Sequence, residues 1–128
     1  MKRILVIEDD ALIMNLIVIL LEREGYEVLQ SVSAEEGIDL AVSRSPDLVL
    51  MDVALPGLDG LAATRILKSR EDTRSIPIIA LTAQAMKEDA EKATRAGCDG
   101  FIVKPLSTRA FIKEISRFLD EHARTGGG

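Results

Sequence analysis

The feature that most restricts the fold is an unbroken apolar run, Leu48-Val49-Leu50-Met51, closed by Asp52. Pro46 stands before it, and Pro56, Gly57 and Gly60 follow. A strand with one wet face alternates apolar and polar residues. A run without alternation, bounded by turn residues, reads as a strand buried on both faces. Such strands lie in the middle of parallel sheets covered by helices. In open sheets of that kind, ligands sit just beyond the carboxyl ends of the strands. Asp52 stands at that end, and we read it as the reactive centre. A lone Asp more commonly ends a strand and caps a turn. What separates the two roles is what the other strands bring to the same edge.

Arg3 to Ile7 is a second apolar run, and it ends in Glu8, Asp9 and Asp10. Asp10 is placed to cap a helix from about Ala11 to Glu24, with Gly25 as its left-handed stop. Ile13, Leu16, Ile17, Leu20 and Leu21 share one face at helical spacing. Tyr26 to Ser31 is a short strand, and Ser33 with Glu36 fits a capping box that opens a helix to about Arg44. After the central strand, Gly60 starts a third helix to about Arg70. Ile76 to Leu81 is the next strand, ending at Thr82, with Pro77 tolerated near its start. A fourth helix runs from about Ala85 to Ala96, and Gly97 stops it. Gly100 to Val103 is the last strand, ending at Lys104 and Pro105. Ser107 to Ala123 is the final helix, with Phe111, Ile112, Ile115, Phe118 and Leu119 along one side.

Strand and helix therefore alternate five times with short connections. Right-handed crossovers then demand an α/β, doubly wound, five-stranded parallel sheet with helices on both faces. Of the two common orders, five units in 128 residues favour the flavodoxin-like 2-1-3-4-5. We expect one domain over 1–123 and a flexible tail over 124–128. No apolar run reaches the roughly 20 residues that span a bilayer, and Met1 is followed at once by Lys2, Arg3 and a strand, without room for a signal peptide. The expected compartment is the cytoplasm. A net charge of -5 disfavours nucleic acid as a partner. The single cysteine, Cys98, excludes an internal disulfide and a Cys-based zinc site.

The order 2-1-3-4-5 makes neighbours of strands one, three, four and five. Their ends carry Glu8 and Asp9, Asp52, Thr82, and Lys104. Clustered acids repel one another unless a cation sits among them, and oxygen ligands with room for water and a phosphate suit Mg2+. Asp52 can then stay ionised and act as a nucleophile. Mg2+, Lys104 and the Thr82 hydroxyl could each neutralise one oxygen of an incoming phosphoryl group. The implied product is an acyl phosphate on Asp52. Other chemistries lack their signatures: the chain has neither G-x-x-x-x-G-K-[ST] nor G-x-G-x-x-G after a strand, and no nucleophile-elbow serine. Ala54 stands where phosphatases with an aspartate nucleophile carry their acid.

With these residues in place, the sequence resembles the receiver domain of bacterial two-component response regulators, the CheY-like family. The likeness spans Met1 to about Ala123 and rests on five matches in order and spacing. They are the acidic pair after strand one, the Asp closing strand three, Pro56-Gly57-Leu58-Asp59-Gly60, the Thr82-Ala83 closing strand four and the Lys104-Pro105 closing strand five. Thr82 to Lys87 and Ala96 to Pro105 look most like DivK-type single-domain regulators and the receivers of hybrid kinases. The resemblance implies that Asp52 is the phosphoacceptor. It implies that Asp9, Asp52 and the Ala54 carbonyl ligate Mg2+, with Glu8 acting through a metal-bound water. Thr82 and Lys104 would bind the phosphoryl group, Phe101 would be the switch aromatic, and the Lys104–Pro105 bond would be cis. The implied partners are a histidine kinase or histidine phosphotransfer protein and a downstream protein target, with no nucleic acid and no membrane. Receivers are signalling proteins rather than enzymes. Ala54 and Gln84 stand where receivers position or block attacking water; Gln84 could orient a water or be solvated.

Two helices carry further expectations. The first has surplus apolar surface: Ile13 and Ile17 with Met14 and Val18 form either a broad core stripe or the docking patch for the helix bearing the donor histidine. The fourth is rich in alanine and has little area to bury, so we expect it to be the most easily displaced element. That suits a switch exposing the surface it forms with strand five and helix five. A phosphate shuttle without direct output, and a phosphorylation-independent adaptor on the same fold, are the alternatives.

Overall fold

The computed structural model describes residues 2–55, 57–82, 87–104 and 108–126. The elements are β1 (Arg3–Ile7), α1 (Ala11–Arg23), β2 (Glu27–Ser31), α2 (Ala34–Arg44), β3 (Leu48–Asp52), α3 (Gly60–Ser69), β4 (Ile78–Thr82), α4 (Lys87–Ala96), β5 (Gly100–Val103) and α5 (Thr108–Gly126). All strand pairings are parallel and the order is β2-β1-β3-β4-β5. This is the flavodoxin-like order expected from the alternation.

The unbroken apolar runs are explained by two cores, one on each face of the sheet. Ile4, Val6, Leu48, Leu50, Ile79 and Leu81 pack with α1 and α5. Leu5, Ile7, Val49, Met51 and Ile78 pack with α2 and α3. Successive residues point to opposite faces, and both faces are dry, so no position of β3 is free to be polar until its end.

Local signals set most of the boundaries. The Asp10 carboxylate accepts from the Leu12 and Ile13 amides at 2.9 and 3.2 Å and opens α1. Gly25, at φ +88°, turns the chain out of it. Ser33 Oγ accepts from the Glu36 amide at 3.2 Å and opens α2. β4 starts two residues later than the apolar run, at Ile78. Pro77 has no N–H for the ladder, although its carbonyl accepts from Val49 N–H at 3.0 Å. Residues 83–86, at the expected start of α4, lie outside the described residues. α5 continues to Gly126, three residues past the Ala123 end read from sequence.

The phase of α1 needs correction. Met14 and Ile17, read as a candidate surface patch, are core residues at 5% and 0% exposure, and Ile13 and Val18 are half-buried against the same core. Leu16, set by spacing on one face with Ile17 and Leu21, is 39% exposed, with Leu12 at 80% and Ile19 at 55%. The helix is apolar nearly all round, so spacing alone does not select a face. Packing does: Met14, Ile17 and Leu21 recur at i, i+3 and i+7 on the sheet side, and Leu12, Leu16 and Ile19 at i, i+4 and i+7 on the outer side.

Candidate functional site

The site lies at the carboxyl edge of the sheet. Just past β1, the Glu8 amide donates to the Ser31 carbonyl at 3.0 Å and keeps the chain extended for one more residue. Parity then turns the Glu8 side chain inward, where it is fully buried, and leaves Asp9 exposed. The Asp10 amide donates to Glu8 Oε2 at 3.2 Å and holds the carboxylate in place. β3 delivers Asp52 at 4% exposure. Its Oδ1 accepts from the Ala54 amide at 3.1 Å, an Asx-type turn that fixes the side chain.

Beyond β5, the Lys104 amide donates to the Thr82 carbonyl at 2.7 Å, which extends the ladder past Val103. Its ammonium then reaches back across the edge, 2.6 Å from Glu8 Oε1 and 3.5 Å from Asp52 Oδ1. One carboxylate oxygen from each of Glu8, Asp9 and Asp52 lies within 4.8 Å of the others. Thr82 ends β4 and is buried. With Val53, Leu61, Ala80, Lys92, Ala93 and Phe101 it lines a cavity of about 40 Å³. Phe101 is 40% exposed beside it.

The electrostatics follow from crowding. Burial pushes the Glu8 carboxyl up from 4.5 to about 7, and its hydrogen bond with Asp52 adds to the rise; Lys104 and the Asp10 amide oppose it. Burial works against the Lys104 charge, but Glu8 and Asp52 outweigh that and raise its pKa. Lys104 is therefore a fixed cation at neutral pH. One ammonium against three carboxylates leaves the pocket anionic. Glu8 Oε1 is buried and ion-paired with Lys104, yet has no hydrogen bond of good geometry among the described residues. An oxygen-only donor set with an under-coordinated buried oxygen fits a hard divalent cation such as Mg2+.

The edge thus brings together Glu8, Asp9, Asp52 and Lys104, with Ala54 beside Asp52 and Thr82 beside Phe101. It does not bring Ile13, Met14, Ile17 or Val18, which belong to α1 and its core contacts. Gln84 and Pro105, and with Pro105 the expected cis bond, lie outside the described residues. One supporting residue went unrecognised in the sequence. A Cβ on Gly60 would stand 2.1 Å from the Asp52 carbonyl oxygen, so only glycine lets the first turn of α3 pack on the end of β3. Asp59 caps that turn, accepting from the Ala62 amide at 2.8 Å. The Asp-Gly pair was the available signal for the cap; nothing in the sequence alone marks the close approach.

Comparison with known proteins agrees with this geometry. The family model described as the response regulator receiver domain matches residues 4–116. The polar-differentiation response regulator DivK of Brucella ovis is 43% identical over 120 residues, covering 94% of this chain and 98% of that protein. A CheY-like response regulator receiver domain protein from Methanospirillum hungatei superposes with a TM-score of 0.90 at 30% identity, covering 98% of each chain. The receiver domain of a sensor histidine kinase from Pseudomonas aeruginosa, whose structure holds a magnesium ion coordinated in its active-site cleft, superposes at 0.86 with 33% identity, over 93% of this chain and 98% of that one. Sequence, fold and the acidic edge agree: the chain belongs to the response regulator receiver domain family.

Proposed function

We propose that the protein accepts a phosphoryl group on Asp52 from a phosphohistidine, on a histidine kinase or a histidine phosphotransfer protein, and signals by contact with a downstream protein. The observation that carries this is the position of Lys104, whose ammonium lies 3.5 Å from one oxygen of the buried Asp52 carboxylate. Glu8 and Asp52 together hold this ammonium beside the acidic cluster. It is suited to meet the charge of a phosphoryl group.

In the proposed step an Asp52 oxygen bonds to phosphorus as the phosphorus–nitrogen bond breaks. The electron pair of that bond stays on the imidazole nitrogen, which takes a proton from solvent. The products are an aspartyl phosphate and a neutral histidine. Glu8, Asp9, Asp52 and the Ala54 carbonyl are the groups that would hold Mg2+, which when bound supplies positive charge to the phosphoryl oxygens. Lys104 neutralises a second oxygen, and the Thr82 hydroxyl binds a third. The Asx turn with Ala54 leaves Asp52 with little rotamer freedom, so less order is lost in reaching the attacking geometry.

Output would pass through α4, β5 and α5, where Phe101 shares its cavity with Thr82. Thr82 drawn toward a phosphoryl group would vacate space for the Phe101 ring, which without a hydroxyl responds by packing alone. The apolar surface for the phosphodonor helix is then Leu12, Leu16 and Ile19 on α1.

The test is to incubate wild type and Asp52→Ala with acetyl phosphate and Mg2+ and weigh both. One phosphoryl adduct is expected on wild type, none on the variant, and none on wild type in EDTA. The same adduct on Asp52→Ala would refute the assignment.

A further inference from the structure

The chain is acidic overall, at a net charge of -5, yet one cleft reverses that sign. It lies between the end of α1 and the first turns of α5, encloses about 310 Å³, and is lined by Leu20, Arg23, Glu24, Arg109, Ile112 and Lys113. Leu20 is buried and Ile112 half-buried, so the floor is aliphatic. Arg23, Arg109 and Lys113 are exposed around it. Residues 109, 112, 113 and 116 share one face of α5 at i, i+3, i+4 and i+7. Ser116, the last of these, meets the Tyr26 hydroxyl at 3.2 Å and ties that face to the chain just after α1.

Six cations outside the cleft, Arg3, Lys68, Arg70, Arg95, Lys104 and Arg117, have a carboxylate within ion-pair distance. Among the described residues, no carboxylate lies within 4.0 Å of the charged nitrogens of Arg23, Arg109 or Lys113. Among the described residues, Glu24 is the single acid lining the cleft. Three cations clustered around an aliphatic floor, in a protein of net negative charge, form a surface complementary to carboxylates flanking an apolar side chain.

We propose that this cleft docks an acidic amphipathic helix of a partner protein, with an aliphatic side chain over Leu20 and Ile112 and carboxylates against Arg23, Arg109 and Lys113. The cleft shares no residue with the Asp52 pocket, so this docking is separate from phosphoryl chemistry. An anionic lipid surface is the poorer fit. The net negative charge opposes approach to it, and a flat headgroup layer leaves the aliphatic floor uncovered.

The probe is a fluorescein-labelled synthetic helical peptide of about four turns, with glutamates flanking a single leucine, and its twin with glutamine at every glutamate. The glutamate peptide is expected to shift the amide resonances of residues 20–24 and 109–113, with affinity falling as salt rises. Arg109→Glu/Lys113→Glu should weaken it by about tenfold or more, and Arg23→Glu should act in the same direction. The glutamine twin should bind wild type and variants alike and weakly. Uptake of a phosphoryl group from acetyl phosphate should be as fast in the variants as in wild type, which certifies their fold and separates failure here from failure of the Asp52 assignment. Equal binding of both peptides, shifts confined to other residues, or indifference to charge reversal would overturn the proposal. So would cosedimentation with phosphatidylserine vesicles, or a dimer at equilibrium sedimentation, that the same reversals abolish without affecting peptide binding.

Discussion

The Glu8 carboxyl should make the metal-free protein less stable as pH rises through the weakly acidic range. Its folded value is about 7 against an ordinary 4.5, because burial and the Asp52 hydrogen bond disfavour its charge. A carboxyl raised in the folded state contributes stability that is fully present below 4.5 and lost as pH rises through about 7. At about 1.36 kcal/mol per pH unit, the gap between 4.5 and 7 corresponds to a loss of about 3 kcal/mol. That is a large share of the roughly 5–15 kcal/mol typical of a folded domain. The perturbation is Glu8→Gln, which keeps the shape and removes the titration. Urea unfolding in EDTA, followed by circular dichroism at intervals from pH 4.5 to 8, gives the stability of each protein. The stability of Glu8→Gln minus that of wild type should grow by about 3 kcal/mol across that range. Glu27 and Asp72, whose carboxyls are held low by Arg3 and Arg70, contribute the opposite trend at lower pH, but equally in both proteins. Saturating Mg2+ should offset the loss in wild type and stabilise Glu8→Gln less, since the variant keeps Asp9, Asp52 and the Ala54 carbonyl but lacks the third carboxylate. A difference that stays flat or shrinks with pH would refute the reasoning.

Three further outcomes follow from the packing. Leu16→Glu or Ile19→Glu should slow phosphotransfer from a partner histidine domain without slowing uptake from acetyl phosphate, while Met14→Glu should instead unfold the chain, because Met14 is in the core; equal slowing of both reactions by the surface variants would count against α1 as the docking face. Gly60→Ala should cost about 1–3 kcal/mol in urea unfolding and impair Asp52 phosphorylation, because its Cβ would press on the Asp52 carbonyl; unchanged stability would show that α3 can move aside. Amide exchange should be faster in α4 than in α1, since the described part of α4 buries Ala93 and Ala96 where α1 buries Met14, Ile17, Leu20 and Leu21; equal protection would contradict the view of α4 as the displaceable element.

Much of the fold was legible because its signals are local. The apolar run Leu48–Met51 specifies a doubly buried strand from composition alone, and the Asp10 and Ser33 caps fall where side chains reach their own helix. The candidate site was legible for a related reason. In a parallel sheet every strand ends at the same edge, so the residue after each apolar run is a site candidate without any knowledge of distance. Glu8, Asp9, Asp52, Thr82 and Lys104 became candidates that way, and the structure brings the three acids and Lys104 together.

What sequence could not decide was facing and reach. α1 is apolar nearly all round, so its buried side depended on which face the sheet accepted; this put Met14 inside and Ile19 outside. The glycine at position 60 looked like a helix start, and only the approach of α3 to the Asp52 carbonyl showed why no side chain fits. Arg23, Arg109 and Lys113 are ordinary surface residues in the chain, and become one cleft only where α1 and α5 meet. Periodicity and capping are properties of neighbours along the chain, which the sequence states directly. Contacts between segments far apart depend on the relative placement of whole elements, and only the packed tertiary structure determines that.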